Sequence, residues 1–160
     1  MDTMETMAAL AFLGAYLLVV VVIALAYYVV SSLAHMKALK AAGYDKAWMA
    51  WIPFANYYAL ADAAADHQDK VNLFGTLSVP AALYKFWWAV SIVLSFIPVI
   101  GSLASAVIKI IFLGNCYVKL FARLDRTSEQ EQQVIGYLSG FLGIIAVVKF
   151  LAGKYNTKTM

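Results

Sequence analysis

Between Glu5 and Lys37 the chain carries no Asp, Glu, Lys or Arg. As a helix, the apolar run 7–30 covers about 36 Å, more than the roughly 30 Å of a bilayer's hydrocarbon core. A secretory signal needs a basic start and a short apolar core. This start carries Asp2 and Glu5 and its run is longer. The segment therefore reads as a retained first membrane helix, over about 7–33.

The rest of the chain is of the same kind. Of 160 residues, 64% are apolar, 14% aromatic and 13% charged, and the mean hydropathy is +0.78. Soluble domains have about 45–50% apolar and about 25% charged residues. A small water-soluble fold leaves too much surface exposed to hide this much apolar side chain. A soluble globular domain, a disordered chain and a disulfide scaffold are excluded. The net charge of +3 is spread along the chain, so nucleic acid is not an expected partner. Cys116 is the only cysteine and reads as a small buried hydrophobe.

A second apolar stretch runs over 80–124. Straight, it would be roughly 65 Å long, about twice the bilayer core, so it folds back. The turn falls at Ile97-Pro98-Val99-Ile100-Gly101-Ser102, where Pro98 disfavours helix before it and Gly101 permits the bend. Ser78 and Pro80 fit the N-cap and first turn of the incoming helix. The second and third spans are then about 80–99 and 102–123, the alternative being one kinked, tilted helix. A fourth span, about 133–152, follows the polar linker 125–133. The chain is expected to be an all-α polytopic membrane protein with about four transmembrane helices.

Charge sets the orientation. The connecting segments carry Lys37, Lys40, Lys46, Lys70, Lys85, Lys119, Arg123 and Arg126, and the other side has only Lys154 and Lys158. The positive-inside rule puts these connections in the cytoplasm and both termini outside.

Between the first two spans lies an aromatic piece, about 44–70. Gly43 fits the end of the first helix and Asp45 a cap for the next. Trp48, Trp51, Tyr57 and Tyr58, with Phe54, fit an anchor lying along the cytoplasmic interface. A lipid or ligand groove under these rings and a partner-docking surface are the alternatives. Asp62, Asp66 and Asp69 then fall on one helix face beside His67. Three carboxylates can hold a hard cation, but Lys70 follows Asp66 at i+4 and pairs with it. The face reads as solvated, and neither a metal nor a cofactor is expected.

The run Lys40-Ala41-Ala42-Gly43, then Trp48, then Ile52-Pro53-Phe54-Ala55-Asn56-Tyr57 resembles the signature of a family of small bacterial membrane proteins of unknown function. There a Lys-Ala-Gly element leads to a Trp and an Ile-Pro-x-x-Asn-x-Tyr element. Trp87-Trp88, Ile97-Pro98, Lys119 with Phe121, and Gly153-Lys154-Tyr155 follow in the same order. Gly43 and Trp48 are one residue further apart than in that pattern, Ala55 stands where Tyr is common, and Gly101 replaces a second Asn. Members are sometimes called signal-peptidase-like. The resemblance implies a bacterial plasma-membrane protein and no established activity. The two Ile-Pro elements also hint at an internal repeat of a re-entrant half-segment and a span ending in the same turn, as transporters use.

Lys109 lies about eight residues into the third span, roughly 12 Å from its outer end. A lysine at the centre of a membrane helix costs about 2.5 to 3.5 kcal/mol unless partnered or wetted. No Asp or Glu lies within the expected spans, so Ser91 and Ser95, level with it across the turn, are its expected partners. Snorkelling is the plain reading of Lys109, and an anion-facing or water-facing lysine the functional one. Ser105 precedes Lys109 at i−4, a spacing that allows a lysine-activated serine nucleophile. Gly136, Ser139, Gly140 and Gly143 form overlapping small-x-x-x-small pairs, a close-packing face for the bundle itself or for an oligomer.

Three functions follow in order. The first is a structural or accessory subunit that packs against a membrane-protein partner or a second copy within the lipid bilayer. The second is a small oligomeric channel using Lys109. The third is an intramembrane Ser-Lys hydrolase. No catalytic motif is present, so the enzyme reading comes last.

Overall fold

The structure, a computed structural model, describes residues 3–155 of the chain; Lys158 of the basic tail lies outside the described residues. The elements in chain order are α1 (Thr3–Ala41), a 3-10 turn (Ala47–Trp51), α2 (Ala55–Ala65), β1 (Lys70–Leu73), β2 (Leu77–Pro80), α3 (Ala81–Lys85), α4 (Trp87–Ser95), α5 (Ile100–Asp125), α6 (Glu129–Phe141) and α7 (Gly143–Ala152). The protein is thus mostly helical, as its composition requires. Among the described residues two helices, α1 and α5, are long and apolar enough to cross a membrane. The other two expected spans are divided.

Residues 3–30 of α1 are exposed throughout. Packing begins only near its end, where Ser32, Ala34, His35, Ala38 and Leu39 are buried. Gly43 then stops the helix as its sequence suggests. Its φ of 77° is left-handed, and Gly43 N and Tyr44 N donate to Lys40 O and Leu39 O at 3.0 and 2.9 Å. These are the two bonds of a Schellman cap.

Three helical hairpins rise from that end of α1. In the first, Tyr44 OH donates to Asp62 Oδ2 at the base (2.9 Å). Its apex is Ile52-Pro53, and Tyr28 OH donates to Trp51 O just before it. The apex therefore stands about 20 Å up α1 from Ala41. The segment expected to lie flat along the interface is instead folded upright, and Ala59, Leu60, Ala61 and Ala65 of α2 are wholly buried. Six small or branched apolar positions in α2 leave it little polar surface beyond Asn56 and Asp62, which is why it goes inside.

In the second hairpin α3 and α4 run against α5. Tyr84 OH donates to Asn115 Oδ1 at 2.8 Å near the base, and Ser105 Oγ donates to Ser91 O at 2.8 Å further up. The apex lies at 96–99, where the sequence places its turn. The incoming limb is not one helix: it breaks at Phe86 (φ −106°, ψ 18°). Ser78 and Pro80 belong to β2, paired antiparallel with β1 from Lys70↔Pro80 to Leu73↔Leu77; Pro80 also stands at the N-cap of α3, as expected, but Ser78 caps nothing. The turn between the strands has positive φ at both Phe74 and Gly75, as a tight right-twisted hairpin requires.

The third hairpin corrects the fourth span. Gly136 of α6 lies on Val118 and Gly140 on Gly114, so α6 runs antiparallel to α5. At Leu142 (φ −112°, ψ 89°) the chain leaves the helix. α7 then returns alongside α1 and meets α5 at its end, with Phe150 on Phe121 (5.1 Å) and Lys149 Nζ on Asp125 Oδ2 (2.6 Å). Lys37 Nζ donates to Leu151 O and Gly153 O at 2.8 Å. Residues 133–152 are therefore two short helices joined at Leu142 and not one continuous helix. The end of α7 shares a side with Lys37, Arg123 and Asp125, so a crossing α1 puts Thr3 and Tyr155 on opposite sides. That arrangement does not support the expectation that both termini lie outside. The core fills the base of the hairpins, around Leu39, Leu60, Tyr84, Leu120, Phe121 and Phe150.

Candidate functional site

The aromatic residues of the first hairpin meet those of the second. Tyr57 sets its edge on Trp87 (5.4 Å) and Phe54 lies on Trp88 (5.7 Å). Trp87 stacks on Phe112 of α5 (6.4 Å, 16°). One turn above, α4 and α5 splay enough to leave a cavity of about 230 Å³ lined by Tyr57, Trp87, Trp88, Ser91, Ser105 and Lys109, among others. The structure thus brings together Lys109, Ser91 and Ser105, as their spacing suggests. Ser95 is not in the lining; its hydroxyl donates to Ile92 O at 2.6 Å within its own helix.

The chemistry of this cavity is one-sided. Trp87 Nε1, Trp88 Nε1 and Ser91 Oγ are buried without a hydrogen-bond partner. Lys109 is exposed, and among the described residues no carboxylate pairs with it: the ion pairs are Lys85–Asp62, Lys119–Glu129, Arg123–Asp66 and Lys149–Asp125. Ser105 gives its proton to Ser91 O. A nucleophilic Ser105 activated by Lys109 would first have to break that bond.

A second cavity of about 350 Å³ lies on the other side of Phe54 and Tyr57, bordered by Tyr28, Ser31, Ser32 and Asn56 of α1 and the first hairpin. Asn56 Oδ1 is buried there without a partner. The aromatic pair Phe54 and Tyr57 is the wall between the two spaces.

The other residues singled out from the sequence have structural roles. Trp48 is 58% exposed, while Trp51 turns inward, its Nε1 donating to Met36 Sδ (3.4 Å). Tyr58 packs on Phe86 (5.3 Å). Gly136 and Gly140 serve contact within the chain, α6 on α5. Ser139 is buried with its hydroxyl on Ile135 O (2.7 Å), and Gly143 opens α7 beside Tyr27. The acidic face is not simply solvated. Asp62 takes Lys85 (2.7 Å) and Asp66 takes Arg123 (2.8 Å) rather than Lys70. Among the described residues no cluster of three His, Cys, Asp or Glu is placed to hold a metal. At this base, burial and the Asp62 carboxylate push the Tyr44 phenol up, so it stays protonated and keeps donating.

Two buried polar groups escaped the sequence reading. His35 Nε2 pairs with Tyr117 OH (2.9 Å) and its Nδ1 with Ser31 O (2.7 Å). Asn115 accepts from Tyr84 OH and lies 3.4 Å from Tyr137 OH, tying α3, α5 and α6. The only signal was a polar residue within an apolar run. Neither carries a charged partner that spacing would reveal.

No protein-family model matches the chain, and neither does any curated protein or solved structure.

Proposed function

We propose that the protein is a non-catalytic accessory protein of the plasma membrane that engages a membrane partner through α1. The observation that carries this reading is the isolation of that helix. All of its residues from Thr3 to Val30 are exposed. Ala11, Gly14 and Ala15 leave it smooth, with open space around Gly14. Small residues let a second helix approach closely. A body held at one end of a long bare helix is built to be carried by that helix, or to hold what the helix binds.

In this reading α1 crosses the bilayer, the α4–α5 hairpin enters from the cytoplasmic side, and α6–α7 is re-entrant. Lys37, Lys40, Lys46, Lys70, Arg123, Arg126, Lys149 and Lys154 gather at the base of the hairpins, which supports a cytoplasmic body. The resemblance of residues 40–57 to small bacterial membrane proteins supports the plasma membrane as its location.

A photo-reactive amino acid at Ala11, introduced in intact membranes, tests the reading. An adduct of one defined protein mass is expected, either a second copy or another membrane protein that co-purifies in mild detergent. Adducts with lipid alone, and a chain that always purifies alone, would overturn it.

A further inference from the structure

We propose that the cavity beside Lys109 binds the phosphate of an anionic phospholipid, with the start of the lipid's chain laid against Phe54, Ile92 and Ala106. This goes beyond the role of α1 and does not depend on it. Buried polar groups are nearly always hydrogen-bonded. Three that are not, Trp87 Nε1, Trp88 Nε1 and Ser91 Oγ, belong to side chains of this one lining. Indole N–H groups only donate, the lysine ammonium only donates, and a serine hydroxyl donates readily. The two indole N–H groups and the ammonium can be satisfied only by an acceptor.

Charge makes the choice narrower. Lys109 brings a positive charge, and no Asp or Glu lines the cavity. Its complement is an anion with several acceptor oxygens, which describes a phosphate. Position makes the ligand amphiphilic. Lys109 lies about 15 Å up α5 from Lys119, within the apolar part of the helix. Phe54, Ile92 and Ala106 give the rest of the wall apolar contact, and exposed Val90, Val93 and Phe96 continue the apolar surface along the hairpin. At about 230 Å³ the cavity is smaller than the pockets of about 300–1,000 Å³ that enclose whole small ligands. It holds a headgroup phosphate and the first methylenes, and the chain's remainder stays in the bilayer.

The test uses the full chain in detergent micelles doped with dioleoyl phosphatidylglycerol or dioleoyl phosphatidylcholine, counting retained lipid by native mass spectrometry. Choline brings its own cation to Lys109, so phosphatidylglycerol is expected to be retained about tenfold better. Lys109→Leu should lose that preference and Lys109→Arg should keep it. Trp88→Phe, which keeps a ring and removes one donor, should weaken retention several-fold. These last two variants preserve charge or shape, so they decide the matter even where Lys109→Leu does not fold. Inorganic phosphate at millimolar concentration should leave the lipid in place; displacement would assign the site to free phosphate and overturn the lipid. Equal retention of both lipids, an unchanged preference in Lys109→Leu, or unchanged retention in Trp88→Phe overturns the site.

Discussion

Phe54 and Val99 share one backbone conformation. Each follows an Ile-Pro pair and each stands at the apex of a helical hairpin, with φ/ψ of 66°/−42° and 59°/−66°. In both, the next N–H reaches back over two residues: Ala55 N to Pro53 O (2.8 Å) and Ile100 N to Pro98 O (2.7 Å). This is a γ-turn of positive φ, a rare and strained form. The repeat hinted at by the two Ile-Pro elements is thus a repeat of geometry. Pro fixes the approach, the tight turn reverses the chain, and a helix starts at once.

The strain makes a prediction. Positive φ in a β-branched residue is a genuine outlier and costs on the order of 1–3 kcal/mol. Val99 is 75% exposed, so its side chain gives little back to the body. Val99→Gly should stabilise the fold by about 1 kcal/mol, read as a higher melting midpoint in detergent. Phe54→Gly also loses the ring contact with Trp88 and should gain less or turn destabilising. A lower midpoint for Val99→Gly would refute the strained turn.

The α5–α6 contact predicts a contrast among glycines. A Cβ on Gly140 would sit 2.8 Å from Gly114 N and 2.9 Å from Ile110 O, backbone atoms that cannot yield. A Cβ on Gly136 would sit 2.7 Å from Val118 N. Either glycine to alanine should cost about 1–3 kcal/mol by overpacking. Gly143→Ala meets only Tyr27 OH at an ordinary 3.4 Å and should be close to neutral. Thermal unfolding of the three variants in one detergent checks the order. Equal effects would mean that α6 does not lie on α5 in this register.

His35 and Tyr117 predict an unsatisfied group. Both are buried, His35 with 4% and Tyr117 with 3% of its surface exposed. Tyr117→Phe keeps the ring stack on Phe121 (5.8 Å) and removes only the hydroxyl that meets His35 Nε2. A buried polar atom left without its partner costs about 1–3 kcal/mol. The variant should be destabilised by that amount, and His35→Leu in the same background should recover part of it. Additive losses in the double variant would refute the coupling.

The hairpin frame was partly legible. The uncharged run before Lys37, the stop at Gly43 and the reversal around Pro98 are local: each rests on a residue whose backbone freedom or charge decides the matter alone. Gly136 and Gly140 were legible as a close contact, though only the structure gives Val118 and Gly114 as its other side. Residues 133–152 read as one helix because apolar content measures what a segment is willing to leave water for, not how far it travels. The break at Leu142 has no proline, and Gly143 reads equally as a packing residue. The β-hairpin carried a signal in the alternation of exposed Lys70 and Asn72 with buried Val71 and Leu73. That signal was hidden because Ser78 and Pro80 also satisfy a helix start. For the site, one-dimensional spacing placed Ser91, Ser105 and Lys109 together, but it could not see Trp87 and Trp88. Their free indole N–H groups matter only once Tyr57 and Phe54 close over them.

The re-entrant third hairpin makes a topological prediction. α6 and α7 have their bases together, at Glu129 and Lys149, which pair respectively with Lys119 and Asp125 of the same end of α5. The chain after Ala152 therefore emerges beside the basic base of the body, while Met4 lies at the far end of an exposed helix. Cys116 is wholly buried, so a cysteine placed elsewhere is read against a quiet background. Met4→Cys and Lys154→Cys should react from opposite faces with a membrane-impermeant maleimide: the first in intact cells, the second only after permeabilisation. The side follows from the rule that puts Lys and Arg in the cytoplasm. Labelling of both from one face would restore a full crossing of 133–152 and remove the re-entrant hairpin.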